Sequence, residues 1–130
     1  MDLFGLQPAA GDLALCEDAM ARCGLALTAE ERRQLWEDRL RVLRDTGRLE
    51  LGEPLLPRLA LVFCDSPWAE PETWAETLEG LQELFYHAKN RTGLPDGELL
   101  STMRRLFDGP AHGSVERVEA LLEEGTEWDN

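Results

Sequence analysis

Between residues 71 and 93, PETWAETLEGLQELFYHAKNRTG, Trp74, Leu78, Leu81 and Phe85 recur at steps of four, three and four. Those steps return to one side of a helix with 3.6 residues per turn and to no single face of a strand, whose period is two. Glu72, Glu76, Glu79 and Glu83 repeat the same steps about 200° away around the axis. One face of this segment is therefore expected to be core and the opposite face a line of carboxylates. Gly93 and Pro95 end it. A helix of this kind cannot stand alone, because its apolar stripe must be covered by other elements.

The rest of the chain offers more helices and no convincing run of alternating strands. Asp12 is placed to cap a first helix reaching Cys23, which Gly24 stops. Its apolar positions Leu13, Cys16, Met20 and Cys23 put both cysteines on one face, where they fill the core. TAEE at 28 to 31 has the form of a capping box, with Thr28 as cap and Glu31 three residues on. The helix it opens runs to about Asp45 and stops at Gly47, with Leu35, Trp36, Leu40, Val42 and Leu43 on a broad apolar arc. RLEL, between Gly47 and Gly52, suits one short extended piece. Pro54 and Pro57 fit the first turn of a third helix. Its residues Leu55 to Phe63 are apolar almost all round, which predicts a central position. Asp96 or an adjacent turn starts a fifth helix through Leu99, Leu100, Met103, Leu106 and Phe107, and Ser114 caps a last one carrying Val115, Val118, Leu121 and Leu122. The expected fold is all-α, a single compact domain of five to six helices with short connections, and 125–130 is expected to be a frayed tail.

Charge narrows the range of partners. The 130 residues carry 26 acidic and 13 basic side chains, a net charge of −13. A phosphate backbone requires a basic surface, so nucleic acid is not an expected partner, and an anionic membrane surface is disfavoured for the same reason. No window approaches the roughly 20 apolar residues of a membrane span. The opening MDLFGLQPAAGD lacks a basic stretch followed by an apolar core and does not read as a secretory signal. Cys16, Cys23 and Cys64 show no zinc spacing and cannot all pair, so a reduced, cytoplasmic setting is expected.

Several residues nevertheless invite a chemical reading. LVFCDSPWAEPETW at 61 to 74 gathers Cys64, Asp65, Ser66, Trp68 and Trp74. Cys64 falls at the C-terminal end of a helix beside Asp65, and both disfavour a thiolate nucleophile. Ser66 before Pro67 and Glu70 before Pro71 instead predict a tight corner packed by Trp68 and Trp74. Arg39 falls inside the apolar arc of its helix and must be paired or held at the edge; Asp65 is the expected partner. Asp108, His112 and Ser114 share one loop, but residues so close in sequence rarely reach triad geometry. No catalytic residue is assigned. The glutamate line faces away from the core and has no second ligand motif on a facing helix, so neither a metal nor a cofactor is expected. Arginines 41, 44 and 48 are placed to offset its repulsion.

TGRLELG at 46 to 52, FCDSP at 63 to 67, YHAKN at 86 to 90 and FDG at 107 to 109, in that order, resemble a small family of uncharacterised cytosolic bacterial proteins. The likeness spans roughly Thr28 to Val118, with the first helix and tail individual to this chain. The resemblance implies a discrete single-domain protein and carries no activity, cofactor or site residue with it.

Two functional expectations follow. The first is a non-enzymatic acidic helical protein that binds a protein partner or itself, through the line Glu72, Glu76, Glu79 and Glu83 and the corner around Trp68. The second is a small-molecule binder or enzyme with a polar pocket among Arg39, Arg48, Asp65 and Tyr86.

Overall fold

The computed structural model describes residues 9–49 and 54–124, with side chains from Cys16 onward. Within them the chain forms α1 (Ala9–Arg22), α2 (Ala29–Thr46), α3 (Leu55–Phe63), α4 (Trp74–Thr92), α5 (Asp96–Asp108) and α6 (Val115–Glu124), with one 3-10 turn at Pro71–Thr73 before α4. No strand occurs among the described residues, and the fold is an all-α single domain. The RLEL segment falls partly, and the 125–130 tail wholly, outside the described residues.

Local signals set most helix ends. The Thr28 hydroxyl accepts the Glu31 N–H at 3.0 Å, and the Glu31 carboxylate accepts the Thr28 N–H at 2.9 Å, which completes the capping box of α2. Gly47 closes α2 at φ 70°, a left-handed conformation that glycine adopts without strain, and Arg48 N–H reaches back to Leu43 O at 2.9 Å. Ser114 caps α6 by accepting Arg117 N–H at 3.2 Å. Asp12 is no cap: α1 begins at Ala9 and carries Asp12 inside its first turn.

Packing runs α1 on α3, α2 on α4, α3 on α4 and α5, and α6 on both α4 and α5. The hub is α4, which touches α2, α3, α5 and α6, rather than the more apolar α3. The reason is length. With 19 residues α4 can bury Trp74, Leu78, Leu81, Leu84, Phe85 and Ala88 against several neighbours, whereas the nine-residue α3 leaves Leu61 exposed. A Cβ added at Gly80 would stand 3.2 Å from Val115 Cγ1, so the missing side chain lets α6 approach α4 closely. Phe63 and Phe107 meet edge to face at 5.2 Å where α3 crosses α5.

Two sequence expectations are corrected here. Cys16 is buried but Cys23 is exposed, because Cys23 lies in the turn beyond α1 and not on its core face. On α2 the buried stripe is Leu35, Asp38 and Val42, and Leu40 is left 51% exposed. The stripe is rotated toward Asp38 because α4 meets it there with a polar side chain, Gln82.

Candidate functional site

The corner between α3 and α4 is built around a serine. Ser66, 6% exposed, accepts Trp68 N–H at 3.1 Å and donates to the Asp108 carboxylate at 2.7 Å. Trp68 donates its indole N–H to Asp108 O at 3.2 Å. Arg104 then binds the ends of α3 and α5 together: its Nε donates to Asp108 at 2.6 Å, and its Nη1 donates to Asp65 at 2.7 Å and to the Val62 carbonyl. The Arg104 hydrogen bond and charge hold the Asp65 carboxyl below its ordinary range. The loop after α5 closes against the same ring. His112 lies 5.5 Å from Trp68, centroid to centroid, and has a φ of +51°, while Gly113 has a φ of +82°. A Cβ at Gly113 would come within 2.6 Å of Trp68 Cβ. Through all this Trp68 remains 41% exposed.

A second polar cluster sits in the seam between α2 and α4. Asp38, 9% exposed, offers a carboxylate to Gln82 Nε2 at 3.2 Å, and the same Nε2 donates to Leu35 O at 3.3 Å. Arg41 donates to Asp38, to Glu83 at 2.6 Å and to Asp45 at 3.2 Å. Carboxylate oxygens of Asp38, Glu79 and Glu83 all lie within 4.8 Å of one another. Burial, and after it the Asp38 charge, raises the carboxyls of both Glu79 and Glu83 above their usual range, with Arg41 opposing. The glutamate line is thus not uniformly solvated. Glu72, Glu76 and Glu79 are exposed, whereas Glu83 is half-buried against α2.

Two of the proposed pocket residues, Asp65 and Arg48, take partners outside the set. Asp65 pairs with Arg104, not with Arg39. The Arg39 guanidinium lies over the Trp36 ring at 4.8 Å, a cation–π contact on its own helix. Arg48 donates to Asn90 at 2.6 Å, and Asn90 donates to Thr46 O at 2.9 Å, which ties the ends of α2 and α4. Tyr86 is buried, edge to face with Phe85 at 5.5 Å. Trp74 is core and donates its indole N–H to Met20 Sδ at 2.9 Å. Two cavities lie elsewhere. One, of about 10 Å³, sits among Cys16, Leu35, Trp36, Leu56 and Leu78 and has room for about one water. The other, an open cleft of about 460 Å³, lies at the start of α5 beside Leu94, Glu98, Ser101 and Thr102.

Cys64 caps α3 and is 6% exposed. Burial first, then the neighbouring Cys23 and Asp65, push its thiol up to about 11, which keeps it protonated at neutral pH. Sequence reasoning passed over Asp38, Gln82 and Arg104. Only Asp38 carried a signal, as an ionisable residue three from Leu35 and four from Val42.

A family model described as "Family of unknown function (DUF6323)" matches residues 12–127. The match extends past the Thr28 to Val118 span of the quoted motifs and takes in most of α1, so the first helix is not individual to this chain. No curated protein and no solved structure matches the chain.

Proposed function

We propose, for a chain that belongs to the family of unknown function DUF6323, that it is a non-enzymatic helical module that binds a basic protein partner. The observation that carries this reading is Trp68, 41% exposed yet fixed at both ends. Its backbone N–H is held by Ser66, its indole N–H by Asp108 O, and one side of the residue rests on Gly113 and His112. A large aromatic presented in a pre-set orientation loses little entropy when a partner closes over it, and tryptophan is enriched among residues that dominate binding energy. The surface around it carries acid: Asp65, with its side chain 70% exposed, and Glu70 and Glu72 on the approach to α4. With a net charge of −13, long-range attraction favours a partner with a basic rim and an apolar pocket for the indole. The three cysteines are free, which suits a reducing cytoplasm.

Affinity-tagged wild type and Trp68→Ala, each recovered from the native cell and measured by native mass spectrometry, test this. A basic protein accompanying the wild type, and depleted about tenfold or more with Trp68→Ala while the variant keeps its helical fold and a cooperative melt, is the expected result. Equal recovery of that protein by both chains, or a complex consisting of a second copy or a small molecule alone, would overturn it.

A further inference from the structure

We propose that Cys23 and Cys64 are an oxidation site, a dithiol that a peroxide converts to a reversible disulfide joining the end of α1 to the end of α3. This goes beyond the partner-binding reading and does not depend on it. Cys16 is not the partner of Cys23. It lies two helical turns earlier, about 10 Å along the axis, which is beyond the span of a disulfide, and it is itself buried. Packing supplies the partner instead. The α1 helix lies against α3, and the turn after α1 meets the cap of α3, where the Cys23 and Cys64 thiols share a hydrogen bond.

The two sulfurs differ in what can reach them. Cys23 is exposed, whereas Cys64 is buried. An accessible cysteine beside a second, resolving thiol is the arrangement in which oxidation stops at a reversible disulfide. Neither residue lies inside a helix. Cys23 occupies the turn that Gly24 closes at φ +78°, and Cys64 follows Phe63, the last residue of α3. Each side chain can change rotamer without unwinding a helix, and two thiols already in hydrogen-bond contact need little more to reach bonding distance.

The chemistry balances with hydrogen peroxide as oxidant. The Cys23 thiolate attacks one peroxide oxygen; the S–O bond forms, the O–O bond breaks, and the other oxygen leaves as hydroxide and is protonated to water. Cys23 is then a sulfenic acid. The Cys64 sulfur attacks it; the S–S bond forms, the S–O bond breaks, and the departing hydroxide leaves as water with the Cys64 proton. Both thiols are oxidised and the peroxide is reduced to water. Burial first, then Cys23 and Asp65, keep Cys64 protonated, which suits it to the second step rather than the first.

The test treats the reduced, folded full chain with a small excess of hydrogen peroxide, then alkylates and maps the peptides by mass, in wild type, Cys16→Ala, Cys23→Ser and Cys64→Ala. A Cys23–Cys64 disulfide, reversed by dithiothreitol, is expected in wild type and Cys16→Ala. In Cys64→Ala, Cys23 is expected to accumulate as a sulfenic acid that dimedone traps. The bond closes a ring that contains all of α2, so oxidised wild type is expected to melt about 5–10 °C above the reduced form. A wild type that keeps its Cys64 thiol, or that joins Cys23 to Cys16 or to a second chain, overturns the pairing. A melting temperature unchanged or lowered by the bond overturns the claim that the folded geometry accepts it. Sulfenic acid at Cys64 in Cys23→Ser, formed as fast as at Cys23 in Cys64→Ala, overturns the order of the two steps.

Discussion

At the scale of single residues, the tightest constraint is at the α5–α6 loop. Gly113 combines a φ of +82° with an approach that would put a Cβ 2.6 Å from Trp68 Cβ. An alanine there meets both a disfavoured backbone and a clash with a side chain that Ser66 and Asp108 hold in place. Gly113→Ala is expected to cost about 2 kcal/mol and to loosen Trp68, read as a red shift in indole fluorescence. Gly97→Ala is the counter-case. It sits in the first turn of α5 with nothing within 4 Å and no positive φ, and is expected to stabilise by about 0.5 kcal/mol through the unfolded chain. Equal effects at the two positions in denaturant melts would sink the argument. Some residue-scale detail was legible in the sequence: the Ser66–Pro67 turn and the presence of Trp68 at that corner. The partners of the Trp68 and Trp74 indole N–H groups were not. Asp108 O and Met20 Sδ reach the two indoles across 40 and 54 positions of chain, and no local pattern encodes such meetings.

At the scale of elements, helices and their ends were the most readable feature, because a cap acts within four residues. The Thr28 capping box is the clearest instance. Thr28→Ala removes the acceptor for Glu31 N–H and is expected to cost about 1 kcal/mol, a drop in melting temperature of about 3–5 °C. An unchanged melting temperature would show that α2 is held by packing alone. Which helix becomes the hub was less readable. Apolar content pointed to α3, but the number of neighbours a helix can serve grows with its length, and α4 is about twice as long. The rotation of α2 was also hidden. Helical periodicity places Leu40 inside and passes over Asp38, yet the polar Gln82 on the facing helix meets Asp38 in the seam.

At the scale of the molecule, acidic groups of two kinds work against each other as pH changes. Glu79 and Glu83 are raised by burial and by Asp38, so their protonation favours the folded state, and stability they withhold at neutral pH is recovered as pH falls through their folded values. Asp65 is lowered by Arg104. At Asp96 burial pushes upward but the bonds to Lys89 and Arg58 outweigh it. These two stabilise above the ordinary aspartate range and lose that contribution as pH drops through and below about 4. The melting temperature is therefore expected to rise from pH 7 to about 5 and to fall below about 4. Relief of the net charge of −13 acts in the same direction over the first interval. Glu83→Gln separates the two: it keeps most of the general charge effect and is expected to show a smaller rise. A rise as large as in wild type would remove the seam as its source.

By itself the sequence determined that this chain is helical, where most of its helices start and stop, and that its apolar faces must be buried against one another. Those properties rest on φ/ψ preferences, capping bonds and a 3.6-residue period, all of which act within a turn or two. Only the tertiary structure decided that Asp65 belongs to Arg104 rather than Arg39, that Trp68 stands half-exposed on a rigid corner, and that Asp38, Gln82, Glu79 and Glu83 share one seam. Each of these depends on the rotation and crossing of helices distant in sequence. That arrangement is set by the packing of whole faces, and short charged side chains find their partners only after it is in place.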